Sequence, residues 1–161
     1  MSRVEGSVST TEWNDLTVAR RAADVRTARE NTMRSLVVED DATNRKLLQT
    51  FLSRYGECDI AVDGKEAVDT VDRAHRNHQG YDLVCMDLRM PQLDGQEAIR
   101  EIRKQEAASG VLKAAKIIVT TLHTDTEDIA TALLGRCNAY LVKPIDTAKL
   151  KKELKALGLI Q

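Results

Sequence analysis

A chain of 161 residues with 42% hydrophobic and 30% charged residues suits one compact domain plus a short appendage. Its formal net charge of -1 excludes a basic field that would hold nucleic acid non-specifically, and no apolar run approaches the ~20 residues needed to span a bilayer. Cys58, Cys85 and Cys137 are odd in number and widely spaced, which fits neither a disulfide framework nor a zinc knuckle. With no apolar leader in MSRVEGSVSTTEW, the expected location is the cytoplasm.

The first 33 residues open small and polar. Ser9-Thr10-Thr11-Glu12 has the form of a capping box, and Glu12–Glu30 is predicted as an extra N-terminal helix with a short stripe of Val18, Ala22 and Val25. Residues 1–33 therefore read as an extension, and residues 34–161 as the main domain. A lone helix of that length is marginal in water and needs a surface to pack on, such as a second copy of the chain.

From Ser35 onward, strand-length apolar runs alternate with amphipathic stretches. The runs are Ser35–Glu39, Cys58–Val62, Tyr81–Met86, Lys116–Thr121 and Ala139–Lys143. Those beginning at Ser35, Tyr81 and Lys116 are nearly all apolar, as strands covered on both faces are. Cys58–Val62 is more polar, as an edge strand is. The intervening helices are predicted over Asn44–Tyr55, Gly64–Arg76, Gly95–Ala108, Asp125–Leu134 and Asp146–Leu157, with Asp94, Asp125 and Asp146 as caps. Five strands each followed by a helix imply an α/β fold: a doubly wound five-stranded parallel sheet, order 2-1-3-4-5, with five surrounding helices.

Ligands of such sheets bind at the carboxyl ends of the strands, where the winding reverses. The first run ends in Glu39-Asp40-Asp41 and the third in Asp87. The fourth ends in Thr120-Thr121 and the fifth in Lys143-Pro144. Crowded carboxylates repel, and a hard divalent cation with oxygen ligands relieves that repulsion. A carboxylate can also attack phosphorus to form an acyl phosphate, while a cation, an ammonium and a hydroxyl hold the phosphoryl oxygens. Each residue alone has a plainer reading, as a helix cap, an acidic loop or a surface lysine. The set together is far more specific.

That set resembles the response-regulator receiver family of two-component signalling. The resemblance is carried by LVVED (36–40), MDLRMPQLDG (86–95), Thr121 and YLVKP (140–144), in order and at matching spacing, over about Met33 to Leu157. It implies a flavodoxin-like fold and a phosphoacceptor Asp87. It also implies a Mg²⁺ (or Mn²⁺) site from Asp40, Asp87, Glu39 through water, and the main-chain carbonyl of Arg89. Thr121 would be the switch hydroxyl, Tyr140 the aromatic that moves with it, and Lys143 the phosphoryl partner. Thr120 is adjacent, and counting back from Tyr140 favours Thr121. Arg89 and His123 would flank the path of attacking water and modulate the loss of phosphate. The same resemblance implies a cis Lys143–Pro144 peptide. The expected donor is a histidine kinase or a histidine phosphotransfer protein, and the expected output an unknown downstream protein, with no nucleic acid or membrane contact and a homodimer through the N-terminal helix as one option. A stand-alone module is expected, since little sequence follows the fifth helix. It would not be an enzyme beyond metal-dependent self-phosphorylation and slow self-dephosphorylation. Two rivals are an aspartate-nucleophile phosphatase, against which Arg89 stands where a second Asp would be, and a receiver that binds without being phosphorylated.

Overall fold

A computed structural model describes residues 32–122 and 136–161. The predicted helices Glu12–Glu30 and Asp125–Leu134, and His123, lie outside the described residues.

The strands are β1 (Ser35–Val38), β2 (Cys58–Ala61), β3 (Leu83–Asp87), β4 (Lys116–Thr121) and β5 (Ala139–Val142). They form one sheet in the order β2-β1-β3-β4-β5, every adjacent pair parallel. The described helices are α1 (Ala42–Leu52), α2 (Gly64–Arg76), α3 (Gly95–Ala108) and α4 (Thr147–Ala156). This is the flavodoxin-like architecture expected of the alternating pattern.

Strand alternation divides the core into two layers. Leu36, Val38, Val84, Met86, Ile117 and Val119 face one way, against Val71 of α2 and Ile99 and Ile102 of α3. Val37, Leu83, Cys85, Ile118 and Leu141 face the other, against Leu48 and Leu52 of α1 and Leu150 and Leu154 of α4. β1 and β3 are thus buried on both faces, which is why their sequences lack polar alternation. β2 is an edge strand, as its polar composition predicts, with Ile60 40% exposed.

Each described helix opens on an aspartate. Asp41, Asp63, Asp94 and Asp146 accept hydrogen bonds from backbone N–H groups two or three residues on, satisfying donors that helix geometry leaves unpaired. At α2 the bond is reciprocated, since Val62 N donates to Glu66 Oε2 at 2.8 Å.

Two elements start two residues away from their predicted positions. β3 begins at Leu83 instead of Tyr81, because Tyr81 and Asp82 are occupied elsewhere. The Tyr81 hydroxyl donates to Asp59 Oδ2 at 2.6 Å, the Arg34 guanidinium lies 4.6 Å from its ring centroid, and Asp82 Oδ2 accepts from Arg34 N at 2.9 Å. α1 begins at Ala42 instead of Asn44, because Asp41 caps it through Asn44 N at 2.8 Å. Asp41 is therefore a cap and stands outside the acidic cluster.

Candidate functional site

The sheet order reverses between β1 and β3, and the site lies at their carboxyl ends. Glu39 follows β1, and Asp87 is the last residue of β3. By alternation both side chains extend the layer of Val37 and Cys85, toward α1 and α4. Glu39 has no exposed surface and Asp87 only 4%, whereas Asp40 is exposed. One carboxylate oxygen from each of Glu39, Asp40 and Asp87 lies within 4.8 Å of the others.

Lys143 reaches this cluster from the end of the edge strand β5, across β4. Its Nζ lies 2.9 Å from Glu39 Oε2 and 3.2 Å from Asp87 Oδ2. Burial acts on both partners. It pushes the Glu39 carboxyl up to about 7, with Lys143 pulling against it and Asp87 adding to it. It also acts to lower the Lys143 pKa, but the hydrogen bond to Glu39 and the charge of Asp87 outweigh it, and the net shift is upward. Lys143 is therefore a firm ammonium, and its contact is the main influence that favours the charged form of Glu39 against burial. The Lys143–Pro144 peptide is cis, as expected.

The acidic turn is fastened from within. Glu39 Oε1 accepts from Asp41 N at 3.1 Å. Arg45, one turn into α1, donates NH1 to the carbonyls of Glu39 at 3.0 Å and Asp40 at 3.1 Å. Sequence reasoning missed Arg45. Its only signal was a basic residue on the first turn of a helix following an acidic loop. Beyond β3, Arg89 N donates to Asp87 Oδ1 at 3.2 Å, and the Arg89 side chain is exposed.

Thr121 ends β4 and is buried. Its Cα partner is Val142, while Tyr140 pairs with Val119. Thr121 and Tyr140 therefore share the opposite face of the sheet from Asp87, two residues apart along neighbouring strands. Tyr140 is 55% exposed. Thr120, in register with Asp87, lies on the Asp87 face with Oγ1 buried. The structure thus gathers Glu39, Asp40, Asp87 and Lys143 into one cluster, with Thr121 and Tyr140 at the same end of the sheet on its other face.

The donor set suits a hard divalent cation. All available ligands are oxygens, three carboxylates converge, and one ammonium cannot neutralise them all.

A parallel sheet whose reversal point carries two buried carboxylates, an exposed one and a strand-end lysine fits the receiver class of α/β domain. The chain belongs to the response regulator receiver domain family, whose profile matches residues 35–155. It is a receiver module of two-component signal transduction and phosphorelay. It is 31% identical over 124 residues to the osmosensing histidine protein kinase SLN1 of Saccharomyces cerevisiae, covering 76% of this chain and 10% of that protein. Among solved structures it resembles the receiver domain of the sensor histidine kinase PA1611 from Pseudomonas aeruginosa, which holds a magnesium ion in its active-site cleft. That match has 32% identity and a TM-score of 0.64, covering 79% of this chain and 98% of that one. It also resembles the Saccharomyces cerevisiae complex of the histidine phosphotransfer protein Ypd1 with the receiver domain of Ssk1, at 31% identity and a TM-score of 0.68, covering 80% and 90%. Among the described residues, no helix is long and apolar enough to cross a membrane.

Proposed function

We propose that this chain accepts a phosphoryl group on Asp87 from a phosphohistidine of a histidine kinase or histidine phosphotransfer protein. The observation that carries the reading is the convergence of Glu39, Asp40, Asp87 and Lys143 at the reversal point of the sheet. In the transfer, the P–N bond of the donor breaks and a P–O bond to an Asp87 carboxylate oxygen forms. The imidazole leaves with the electron pair of the broken bond and takes up a proton. A Mg²⁺ ion would be held by Asp40, Asp87 and the Arg89 carbonyl, with Glu39 through water, and would supply charge for the phosphoryl oxygens.

The chain's own groups do the rest. Lys143 already lies 3.2 Å from Asp87 Oδ2, so its ammonium is in place to hold a phosphoryl oxygen. Arg45 fixes the carbonyls of the acidic turn, so the carboxylates approach one another without the backbone yielding. Thr121 is the switch hydroxyl, and Tyr140 the aromatic that follows it inward. The exposure of Tyr140 fits a resting state in this reading. By the receiver resemblance Arg89 and His123, the latter outside the described residues, would flank the approach of water to phosphorus; neither offers a carboxylate to orient it, so the loss of phosphate would be slow.

Incubation with acetyl phosphate tests the reading. Labelling is expected only with Mg²⁺ or Mn²⁺ present and is expected to vanish in Asp87→Asn. Equal labelling of that variant would refute it.

A further inference from the structure

β4 lies between β5 and β3, and Lys143 leaves the end of β5 while its ammonium sits 3.2 Å from Asp87 on β3. The lysine side chain must therefore cross β4. By the register Lys143 stands one step past the Thr121–Val142 pair, and its arm runs back toward the level of Asp87. Thr120 is the Cα partner of Asp87 on one side and of Leu141 on the other. Ile118, Cys85 and Leu141 pack in one layer, so alternation puts Thr120, Asp87 and the arm of Lys143 on the same face.

Thr120 is 1% exposed, and its Oγ1 has no hydrogen-bond partner among the described residues. A buried hydroxyl without a partner costs stability, and an apolar side chain of the same shape would hold this position better. Lys143 has three N–H donors, of which Glu39 and Asp87 engage two. A spare donor and a spare acceptor thus lie on the same face of the sheet, with no hydrogen bond between them at rest.

We propose that Thr120 is a positioning residue for Lys143, its Oγ1 accepting the third Nζ–H while the ammonium holds the phosphoryl group. This rests on Asp87 being the phosphoacceptor. When Asp87 becomes an acyl phosphate, its negative charge passes to the phosphoryl oxygens, farther from the sheet. The ammonium follows that charge on a flexible four-carbon stem. A hydroxyl beneath the stem's end limits where the ammonium goes and keeps it aimed at phosphorus. In this proposal the hydroxyl has no partner among the described residues at rest because the ammonium is then engaged by Glu39 and Asp87.

The 161-residue chain as wild type, Thr120→Val and Thr120→Ser is compared for labelling by acetyl phosphate at saturating Mg²⁺, and for thermal unfolding. Thr120→Val is expected to hold or raise Tm while lowering the maximal labelling rate about tenfold, the order of a lost hydrogen bond to a charged group. The half-saturating donor concentration should stay within about twofold, because the hydroxyl acts during transfer and not in donor capture. Thr120→Ser should recover most of the rate. Wild-type labelling at Asp87 with an unimpaired Thr120→Val would overturn this inference alone. So would a loss that Ser does not rescue and that tracks a fall in Tm. Wild type that does not label at Asp87 would overturn both this and the phosphoacceptor reading.

Discussion

Glu39 is a buried carboxylate whose only strong neutralising contact within the described residues is Lys143. Its pKa is pushed from the ordinary 4.5 to about 7, mainly by burial. Between those values the native state binds more protons than the unfolded chain, so stability is fully present below pH 4.5 and falls as pH rises toward 7. Lys143, whose pKa is raised, stays charged throughout and adds nothing to that slope. Thermal unfolding in EDTA should therefore show wild type losing ground to Glu39→Gln across this window. Parallel profiles would remove the burial effect from the account. In the proposed reading, a slow loss of phosphate would be set by Arg89 and His123. Arg89→Asn combined with His123→Glu should shorten the phosphate lifetime, and a longer one would mean their effect is reversed. Asp87, Lys143, Glu39 and Asp40 were legible because each is a polar residue where an apolar strand-length run stops, and the topology then brings those ends together. Arg45 and the buried Thr120 hydroxyl were not. Their significance lies in what they touch, or fail to touch, across the fold, and local spacing carries no trace of it. Asp41 shows the opposite failure: its cap role was legible from the helix beside it, and the acidic run masked it.

At the scale of elements, the loop after β3 is held by backbone contacts that only glycine permits. A Cβ on Gly95, at the first residue of α3, would lie 2.3 Å from the Asp87 carbonyl oxygen and 2.7 Å from the Leu88 Cα. One on Gly64, opening α2, would lie 2.2 Å from the Leu93 carbonyl oxygen. The starts of α2 and α3 are thus packed directly on the segment that carries Asp87. Gly95→Ala should cost on the order of 1–3 kcal/mol in urea unfolding and slow Asp87 labelling, since backbone must move and no flexible side chain can yield. Full stability and full labelling would show that the loop relaxes freely. The alternation of strand and helix was readable from periodicity, and so was the edge position of β2. The register of β3 was not, because Tyr81 reads as a strand residue by composition. Its hydroxyl bond to Asp59 and its contact with Arg34 take it out of the strand, and those are long-range contacts.

For the whole molecule, the two faces of the sheet carry different duties. The α1/α4 face ends in the acidic cluster and Lys143, while the opposite face ends in Thr121, Val142 and Tyr140. In the proposed reading, a phosphoryl group on Asp87 would act across the sheet edge by drawing Thr121 toward it and letting Tyr140 turn inward. Hydrogen exchange with and without beryllofluoride should change across residues 120–140 and leave α1 nearly unaltered; unchanged protection across 120–140 would remove the switch. The most direct measurement of the central claim is chemical identification of the phosphorylated residue. The chain is phosphorylated in Mg²⁺ and then treated with borohydride, which reduces an acyl phosphate of aspartate to homoserine. Peptide mass spectrometry should find homoserine at position 87 and nowhere else. Homoserine at another acidic residue, or a phosphorylated chain in which Asp87 survives unreduced, would contradict the account.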